Sequence, residues 1–331
     1  MRKAFKTILA LTLVSQLAIS GMTPTTVSAA TTEMSQAFLD FGEGPKGRSA
    51  IDKSTDKKLQ AMLEETVPKF TQHTYIDTVT NRSITYNLFL PADYKEGDSY
   101  PLLMFIGDAS TVGTDPTTPL QRGYSPAIWA TAKAQAKHPC IILVPQYAGV
   151  IIDDHNGFKI TEDVEATARL VKAVAQKYGA DAKRIYSTGQ SMGCMTTMYL
   201  AAKHPDLFAA TLMVSGQWNV SDLSSLAQQK FFYIAAGGDP KASQGQRDLL
   251  PVLREQGAKV STATWDATQS YSELSKAAKR EIAQGNAINF ATFVTGSVLP
   301  ESAKDANEHM YSFDHAYQIT AVRDWLFAQH K

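Results

Sequence analysis

The chain has 331 residues, of which 44% are apolar and 19% are charged, so it is long enough to bury a full core in one large domain or two smaller ones. The apolar fraction excludes a disordered chain, and 32 basic against 32 acidic residues leave no basic excess to bind nucleic acid. Two cysteines are too few for a disulfide-stapled small fold or a zinc ribbon.

The first 30 residues have the pattern of a secretory signal. Three basic residues precede an apolar run of about 13 residues from Thr7 to Ile19, and small residues follow as far as Ala29 and Ala30. The run is shorter than the roughly 20 residues of a membrane-spanning helix, which favours cleavage over anchoring, and no cysteine for a bacterial-type lipid anchor lies near the cleavage position. We therefore expect a secreted protein without a stable membrane anchor, cleaved after Ala29 or Ala30, with 29 basic and 32 acidic residues.

Residues 31–73 are predicted to be a leader segment rather than a second domain. They are polar and mixed, with a Gly/Pro-rich patch at residues 42–47, and Lys57–Val67 is a candidate short helix. Two strand-like runs then follow, Thr74–Val79 and Ile84–Leu90, and the turn between them predicts an antiparallel hairpin. The main domain is expected to cover residues 74–331.

Short apolar runs alternate with helical patterns after this hairpin. The clearest helix is Glu162–Tyr178, where apolar residues recur at three- and four-residue steps and Thr161 is a candidate N-cap. The alternation predicts an α/β fold with a mostly parallel central sheet, helices on both faces and the antiparallel hairpin at one edge. The predicted strands are Leu102–Ile106, Cys140–Val144, Arg184–Thr188, Ala209–Val214, Phe231–Ala236 and Lys259–Trp265.

A G-x-S-x-G pattern directly follows the predicted strand Arg184–Thr188 and precedes a helical pattern from Cys194 to Lys203. This context predicts a nucleophile elbow, in which Ser191 projects its hydroxyl above the sheet edge while Gly189 and Gly193 leave room for the neighbouring backbone. The helix N-terminus would favour negative charge at the same place. The alternative is a glycine-rich helix start in which Ser191 is only the N-cap.

A serine hydroxyl needs a base to become a nucleophile, and the base needs an orienting acid. In this topology both follow the serine in the chain, with the acid first. Asp239 is the preferred acid because it comes just after the predicted strand Phe231–Ala236, at the carboxyl end where such sheets place their ligands. A turn aspartate before Pro240 is the alternative role for Asp239, and Asp266 and Asp314 are the rival acids.

Three histidines follow Asp239, and the residues alone leave two of them open as the base. His330 is the penultimate residue and a poor candidate because chain ends fray. His309 lies in a loop before the last predicted helix, and His315 is expected to begin that helix.

Three stretches of the chain together resemble the α/β-hydrolase superfamily, in the branch of secreted esterases and predicted peptidases related to prolyl oligopeptidase and polyhydroxybutyrate depolymerase. They are Leu90–Tyr94, Tyr100–Phe105, and Arg184-Ile185-Tyr186 leading into the G-x-S-x-G. The resemblance covers roughly Thr74 to Gln329. It implies the α/β-hydrolase fold and hydrolysis through an acyl-enzyme intermediate.

The resemblance also implies roles for individual residues. In that branch the catalytic histidine precedes a Trp-Asp-x-Ala-Tyr-like segment and a helix ending in Asp-Trp-Leu, and the matching Phe313–Tyr317 and Asp324–Leu326 imply His309 as the base. The resemblance implies that the N–H of the residue after the nucleophile, here Met192, is one donor of an oxyanion hole. The family's His-Gly-Ala-Gly loop reads Gly-Asp-Ala-Ser here and implies Ala109 as the second donor.

About forty residues separate the predicted strand Lys259–Trp265 from His309. They include a helix-like Tyr271–Gln284 and an apolar Ala287–Val294. Because the histidine of a minimal hydrolase follows that strand closely and unstructured loops of this length are unusual, residues 266–308 are predicted to form an inserted lid or pocket wall. The alternative is a surface excursion that packs on the sheet.

Gln217 and Trp218 follow the predicted strand Ala209–Val214 and are expected to bind substrate at the same sheet edge, although a buried packing role suits Trp218 equally. Strand register places Cys140 and Cys194 too far apart for a disulfide. The cluster Asp153-Asp154-His155-Asn156-Gly157 lacks the further acidic ligands of a calcium loop, which favours a polar turn over a metal site.

The sequence thus predicts a secreted serine hydrolase that cleaves small or polymeric carboxylic esters with Ser191, His309 and Asp239, and with neither cofactor nor metal. One alternative is a serine peptidase of the prolyl oligopeptidase-like type. Another is a non-catalytic binding protein on the same fold, which the unusual loop around Ala109 keeps open. No nucleic-acid partner is expected, and the sequence makes no prediction of the oligomeric state.

Overall fold

Nine strands form one central sheet in residues 50–331, the part of the chain that the computed structural model describes. Two further strands pair separately, so the eleven strands of these residues in chain order are β1 (Thr71–Ile76), β2 (Ser83–Phe89), β3 (Tyr100–Ile106), β4 (Ile141–Gln146), β5 (Ile152–Asp153), β6 (Lys159–Ile160), β7 (Ala180–Gln190), β8 (Ala210–Val214), β9 (Phe231–Ala236), β10 (Val260–Trp265) and β11 (Ile288–Phe293). Their order across the sheet is β1-β2-β4-β3-β7-β8-β9-β11-β10, and β5 and β6 pair separately.

The sheet is parallel except around β2, which runs antiparallel to both of its neighbours, β1 and β4. The pairs from β4 to β10 are all parallel. This confirms the predicted mostly parallel sheet with an antiparallel hairpin at one edge. Because parallel neighbours end at the same edge, the loops after β7, β8, β9 and β11 meet there.

Helices cover both faces of the sheet, as predicted. In chain order, they are α1 (Lys57–Thr66), α2 (Thr118–Gln121), α3 (Ala127–Ala130), α4 (Ala132–Lys137), α5 (Glu162–Lys177), α6 (Met192–Lys203), α7 (Pro240–Glu255), α8 (Tyr271–Ile282), α9 (Tyr311–Gln318) and α10 (Thr320–Phe327). In residues 50–331 none of them is both long enough and apolar enough to cross a bilayer.

Alternate side chains of each buried strand enter two separate cores. In β3, Leu102, Met104 and Ile106 belong to one core, which α5, α6 and α7 complete. Leu103 and Phe105 belong to the other core, to which α1, α3, α8, α9 and α10 contribute. This two-residue period over an almost continuously apolar strand is the signature of a sheet that is buried on both faces.

Two local expectations need correction. The boundary of the main domain at residue 74 is wrong, because α1 lies in the predicted leader and places the fully buried Leu59 in the core. Thr161 is at the N-cap position of α5 as predicted, but its hydroxyl makes no capping hydrogen bond. The proposed signal segment, residues 1–30, lies outside the described residues.

The predicted inserted lid is also corrected in its central part. Helix α8 forms as expected, but the apolar run after it is β11, which pairs with β9 on one side and with β10 on the other. This segment is therefore a strand–helix–strand crossover of the sheet itself. Only residues 294–308, between β11 and α9, are left as a candidate pocket wall.

Cys140 and Cys194 are both buried and free, in keeping with the expected separation. Burial in apolar surroundings raises the pKa of the Cys140 thiol to about 12 and raises that of Cys194 as well. Both thiols are therefore neutral packing groups at ordinary pH.

A buried acid on α8 makes stability depend on pH. Glu281 is 2% exposed, neither of its carboxyl oxygens has a hydrogen-bond partner, and burial raises its pKa from 4.5 to about 8. Between these values the unfolded chain releases the proton while the folded chain keeps it, so the free energy of unfolding falls by at most about 1.4 kcal/mol per pH unit as pH rises.

Replacing this acid removes that dependence. We expect the free energy of unfolding of Glu281→Gln, measured in urea, to increase relative to that of the wild type as pH rises from about 5 to about 8. Below about pH 4.5 the difference between the two proteins should stay constant. Glu273→Gln, an exposed substitution on the same helix, is the matched control and should show no such gain. Parallel pH profiles for wild type and Glu281→Gln would contradict the raised pKa.

Candidate active site

Ser191 occupies the one-residue junction between β7 and α6. Its φ is +51°, a left-handed conformation that is costly for a residue with a side chain. A Cβ on Gly189 would collide with the backbone of Gly193, and a Cβ on Gly193 would collide with the carbonyl of Ile106. The G-x-S-x-G glycines are therefore required by close backbone approach, and they allow the sharp turn at the sheet edge on which the half-buried Ser191 lies.

Three side chains from different loops form a chain of hydrogen bonds at this edge. Ser191 Oγ lies 2.8 Å from His309 Nε2, and His309 Nδ1 lies 2.5 Å from Asp239 Oδ2. Asp239 is 2% exposed, and its other carboxylate oxygen accepts hydrogen bonds from the N–H groups of Lys241 and Ala242 at the start of α7. A carboxylate only accepts, so it favours the Nδ1–H tautomer and leaves Nε2 to accept the serine proton.

The rival residues lie elsewhere. His315 Nδ1 is 3.4 Å from the hydroxyl of Tyr271, and burial lowers the pKa of this histidine. Asp314 pairs with Lys53 at 2.6 Å. Asp266 accepts hydrogen bonds from Thr268 in an exposed turn, and the exposed His330 accepts one from Lys230 through its carbonyl.

The loop that carries His309 is held by its own polar contacts. The His309 N–H donates to Asn307 Oδ1 at 2.8 Å, and Ser312 Oγ donates to the His309 carbonyl at 2.7 Å. The Phe313 ring meets the imidazole edge to face, with centroids 5.2 Å apart. The two hydrogen bonds hold the His309 backbone, and the Phe313 ring packs against the imidazole itself.

The loop that carries Ala109 lies directly against the elbow. A Cβ on Gly193 would come within 2.9 Å of the Gly107 carbonyl oxygen. Ala109 is exposed, and Met192 is the first residue of α6, where N–H groups have no partner within the helix. The loop after β3 and the first turn of α6 are therefore neighbours at the sheet edge.

A buried hydrogen bond between this loop and the elbow was not predicted from the sequence. Gln190 Nε2 donates to Asp108 Oδ2 at 2.8 Å, and Asp108 Oδ1 accepts from the Ser110 N–H at 2.8 Å. The only sequence signal is the position of Asp108, where the resembled family has glycine. The hydrogen bonds that the Asp108 carboxylate accepts hold the loop in one conformation, whereas glycine at this position would allow several.

Gln217 and Trp218 follow β8 at the same edge, but they differ in role. The Gln217 amide is hydrogen-bonded to Asp154 and is half-buried. Trp218 is only 4% exposed and packs beneath Phe158, with ring centroids 5.0 Å apart. The expectation that Trp218 contacts substrate is therefore corrected to a packing role, because Phe158, which is 50% exposed, covers it.

Asp153, Asp154 and His155 bring ligand atoms within 4.8 Å of one another. His155 Nδ1 lies 2.6 Å from Asp153, and Asp154 pairs with Lys241 at 3.0 Å. These partners account for the cluster as a polar turn that joins the β5–β6 hairpin to α7.

Known proteins share this fold and part of this sequence. A solved thermostable esterase superposes with a TM-score of 0.64 at 24% identity over 80% of this chain and 64% of its own. A ferulic acid esterase gives a TM-score of 0.52 at 14% identity over 78% of this chain and 98% of its own. These likenesses show that the chain shares its fold with both proteins, and the mostly parallel sheet covered by helices agrees with the α/β-hydrolase fold that the resemblance implied.

The Esterase family model, described as "Putative esterase", matches residues 78–288, and the chain belongs to this family. Acetylxylan esterase A of Aspergillus ficuum is 35% identical over 102 residues, which are 28% of this chain and 32% of that protein. Feruloyl esterase B of Talaromyces stipitatus is 42% identical over 62 residues, 19% of this chain and 16% of that protein. The chain thus spans about a third or less of the curated relatives that it matches.

The Gln190–Asp108 hydrogen bond is testable by substitution. We expect Gln190→Met, which keeps the side-chain length, to lower the free energy of unfolding by about 1–3 kcal/mol, because a buried carboxylate loses a donor. Hydrolysis at Ser191, the function proposed below, should slow on the order of 10-fold because the loop beside the elbow shifts. Urea unfolding and initial rates measure the two effects.

Gln244→Met is the matched control, since Gln244 donates to Asp248 in the same amide-to-carboxylate arrangement on the exposed surface of α7. Its effect on stability should stay below about 1 kcal/mol, as is usual for exposed pairs. Equal losses in the two variants would mean that burial of the Gln190–Asp108 pair has no special importance.

Proposed function

We propose that this protein hydrolyses carboxylic esters through a covalent serine intermediate. The observation that carries the proposal is the pair of hydrogen bonds that join Ser191 to His309 and His309 to Asp239. Ser191 itself lies on a strained elbow at the carboxyl edge of the sheet. Membership of the Esterase family supports the same reaction class.

Each residue has a defined step in the proposed reaction. Ser191 Oγ attacks the ester carbonyl carbon while its proton passes to His309 Nε2, and Asp239 stabilises the resulting imidazolium. The N–H groups of Met192 and Ala109 are proposed to bind the oxyanion. The intermediate collapses and the imidazolium protonates the departing alcohol. Water, activated by the same histidine, then releases the carboxylic acid from Ser191.

Two exposed apolar side chains suggest where the substrate lies. Phe158, in the β5–β6 hairpin, is 50% exposed and packs on Trp218, and Val294, which is 43% exposed, begins the segment 294–308 directly after β11. We propose that these form the pocket walls, with Gln217 between them and the reacting serine. The names of the acetylxylan and feruloyl relatives make carbohydrate-borne esters the first substrates to test.

Active-site labelling tests the proposed nucleophile and base. We expect a fluorophosphonate probe to label the wild type and not Ser191→Ala, because the probe reacts only with an activated serine. His309→Ala should lose about 10³-fold or more in kcat for p-nitrophenyl acetate. His315→Ala, the matched histidine control on α9, should retain most of its activity.

The outcomes separate the alternatives. An unlabelled wild type would favour a binding protein on a hydrolase fold, and equal losses in the two histidine variants would leave His309 unsupported as the base. Faster cleavage of peptide amides than of esters would favour a peptidase.

We further propose that the protein is exported and cleaved after Ala29 or Ala30. The basic start, short apolar run and small residues of the N-terminal segment support this. Expressed in full in a secretion-competent host, the protein should appear in the medium, and N-terminal sequencing should begin at Ala30 or Thr31.

Substituting the cleavage position provides the control. Replacing Ala29 and Ala30 together with arginine should block processing, whereas replacing Thr25 and Thr26 with glutamine should leave it intact. Retention of the uncleaved wild-type chain in cells would contradict export.

A further inference from the structure

Glu308, which directly precedes His309, is a buried acid outside the proposed reaction steps. It is 4% exposed, and both of its carboxylate oxygens accept backbone hydrogen bonds. Oε2 accepts from the Gly238 N–H at 3.1 Å, and Oε1 accepts from the Gly296 N–H at 2.5 Å. The carboxylate therefore joins the loop after β9 to both ends of the segment 294–308, which lies between β11 and α9.

The loop before α9 and the loop after β9 are joined at two successive residues of each. Glu308 binds Gly238, and the next residue, His309, binds Asp239, the residue after Gly238. Two adjacent bonds between the same pair of loops fix both the separation and the relative rotation of those loops, which one bond alone would not do. The distance between the imidazole and its acid thus depends on the neighbouring carboxylate.

The sequence around this pair fits the same role. A Cβ on Gly238 would collide with the Glu308 carboxylate, so glycine at this position allows the carboxylate to approach the backbone. A carboxylate suits the site better than an amide, because it can accept from two N–H groups at once and presents no donor toward either. The Gly296 bond ties the start of the segment 294–308 to its end at Glu308.

We propose that Glu308 is a positioning residue that holds His309 against Asp239 by fixing the two loops to each other. The inference rests on the proposed function, since it assigns Glu308 a task within that reaction. The residue does not touch the reacting atoms and acts through the His309–Asp239 hydrogen bond.

Kinetics test the proposal through the division between kcat and KM. With p-nitrophenyl acetate, Glu308→Ala should lose about 100-fold in kcat and Glu308→Gln about 10-fold, with KM changed less than about twofold, because positioning of the base affects the chemical step. The glutamine variant keeps one acceptor oxygen and so should be intermediate. Asp206→Asn, an exposed acid beyond the end of α6, controls for loss of a negative charge and should behave as wild type.

A spectroscopic readout separates positioning from general stability. The proton between His309 Nδ1 and Asp239 gives a far-downfield ¹H resonance, which we expect in the wild type and Asp206→Asn and expect to shift upfield or broaden in both Glu308 variants. Gly238→Ala, which displaces the carboxylate without removing it, should reproduce the effect. Should Glu308→Ala fail to fold, Glu308→Gln carries the test.

Two results would overturn the proposal. One is an unchanged downfield resonance and kcat in folded Glu308 variants, even if their melting temperature falls, since this would make the residue structural only. The other is a rise in KM with kcat unchanged, which would place its effect on substrate binding. Failure of the proposed function looks different, because the wild type would then keep the resonance yet neither hydrolyse esters nor react with the fluorophosphonate.

Discussion

The carbonyl of Ile106, at the end of β3, lies so close to Gly193 that no side chain fits between them. The same contact places the first turn of α6 against the loop after β3 and leaves Ser191 in a left-handed conformation between a strand and a helix. The hydrogen bond from the Ser191 N–H to the Val214 carbonyl, 3.0 Å, fixes the turn from the other side. Packing from both sides over-determines the backbone, which is the condition under which such strain persists.

The parallel sheet then sets the spacing of the other groups. Ser191 follows β7 and Asp239 follows β9, with β8 between them, so their strands lie about 10 Å apart. One imidazole, hydrogen-bonded at both ring nitrogens, bridges most of this gap. His309 does not itself end a strand, and its loop must therefore be tied to the sheet edge by side chains. This explains the concentration of polar contacts at Asn307, Glu308 and Ser312.

Local patterns in the sequence predicted the parts of the molecule that local forces determine. The strands were visible as apolar runs, and the positions of Ser191 and Asp239 followed from what precedes and follows them. Strand β11 was misassigned, because an apolar run of that length is equally compatible with an insert and with a sheet strand. The choice of His309 over His315 depends on the resemblance to the α/β-hydrolases, because the residues alone leave both histidines open. The hydrogen bond between Gln190 and Asp108 joins residues 82 positions apart and forms only in the assembled fold.

The loop around Ala109 is one place where this chain departs from the family that it resembles, and its structure bears on whether the departure matters. Backbone N–H donors depend on the conformation of the chain, and glycine is one way to reach an unusual conformation. Here Asp108 supplies another, since its carboxylate accepts from Ser110 and Gln190 while its carbonyl accepts from the N–H and the hydroxyl of Thr111. Hydrogen bonds of Asp108 thus fix the conformation of this loop, in place of the glycines that the resembled family has there. A loop with these side chains therefore remains compatible with the proposed oxyanion site, and its composition is no argument for a protein that has lost catalysis.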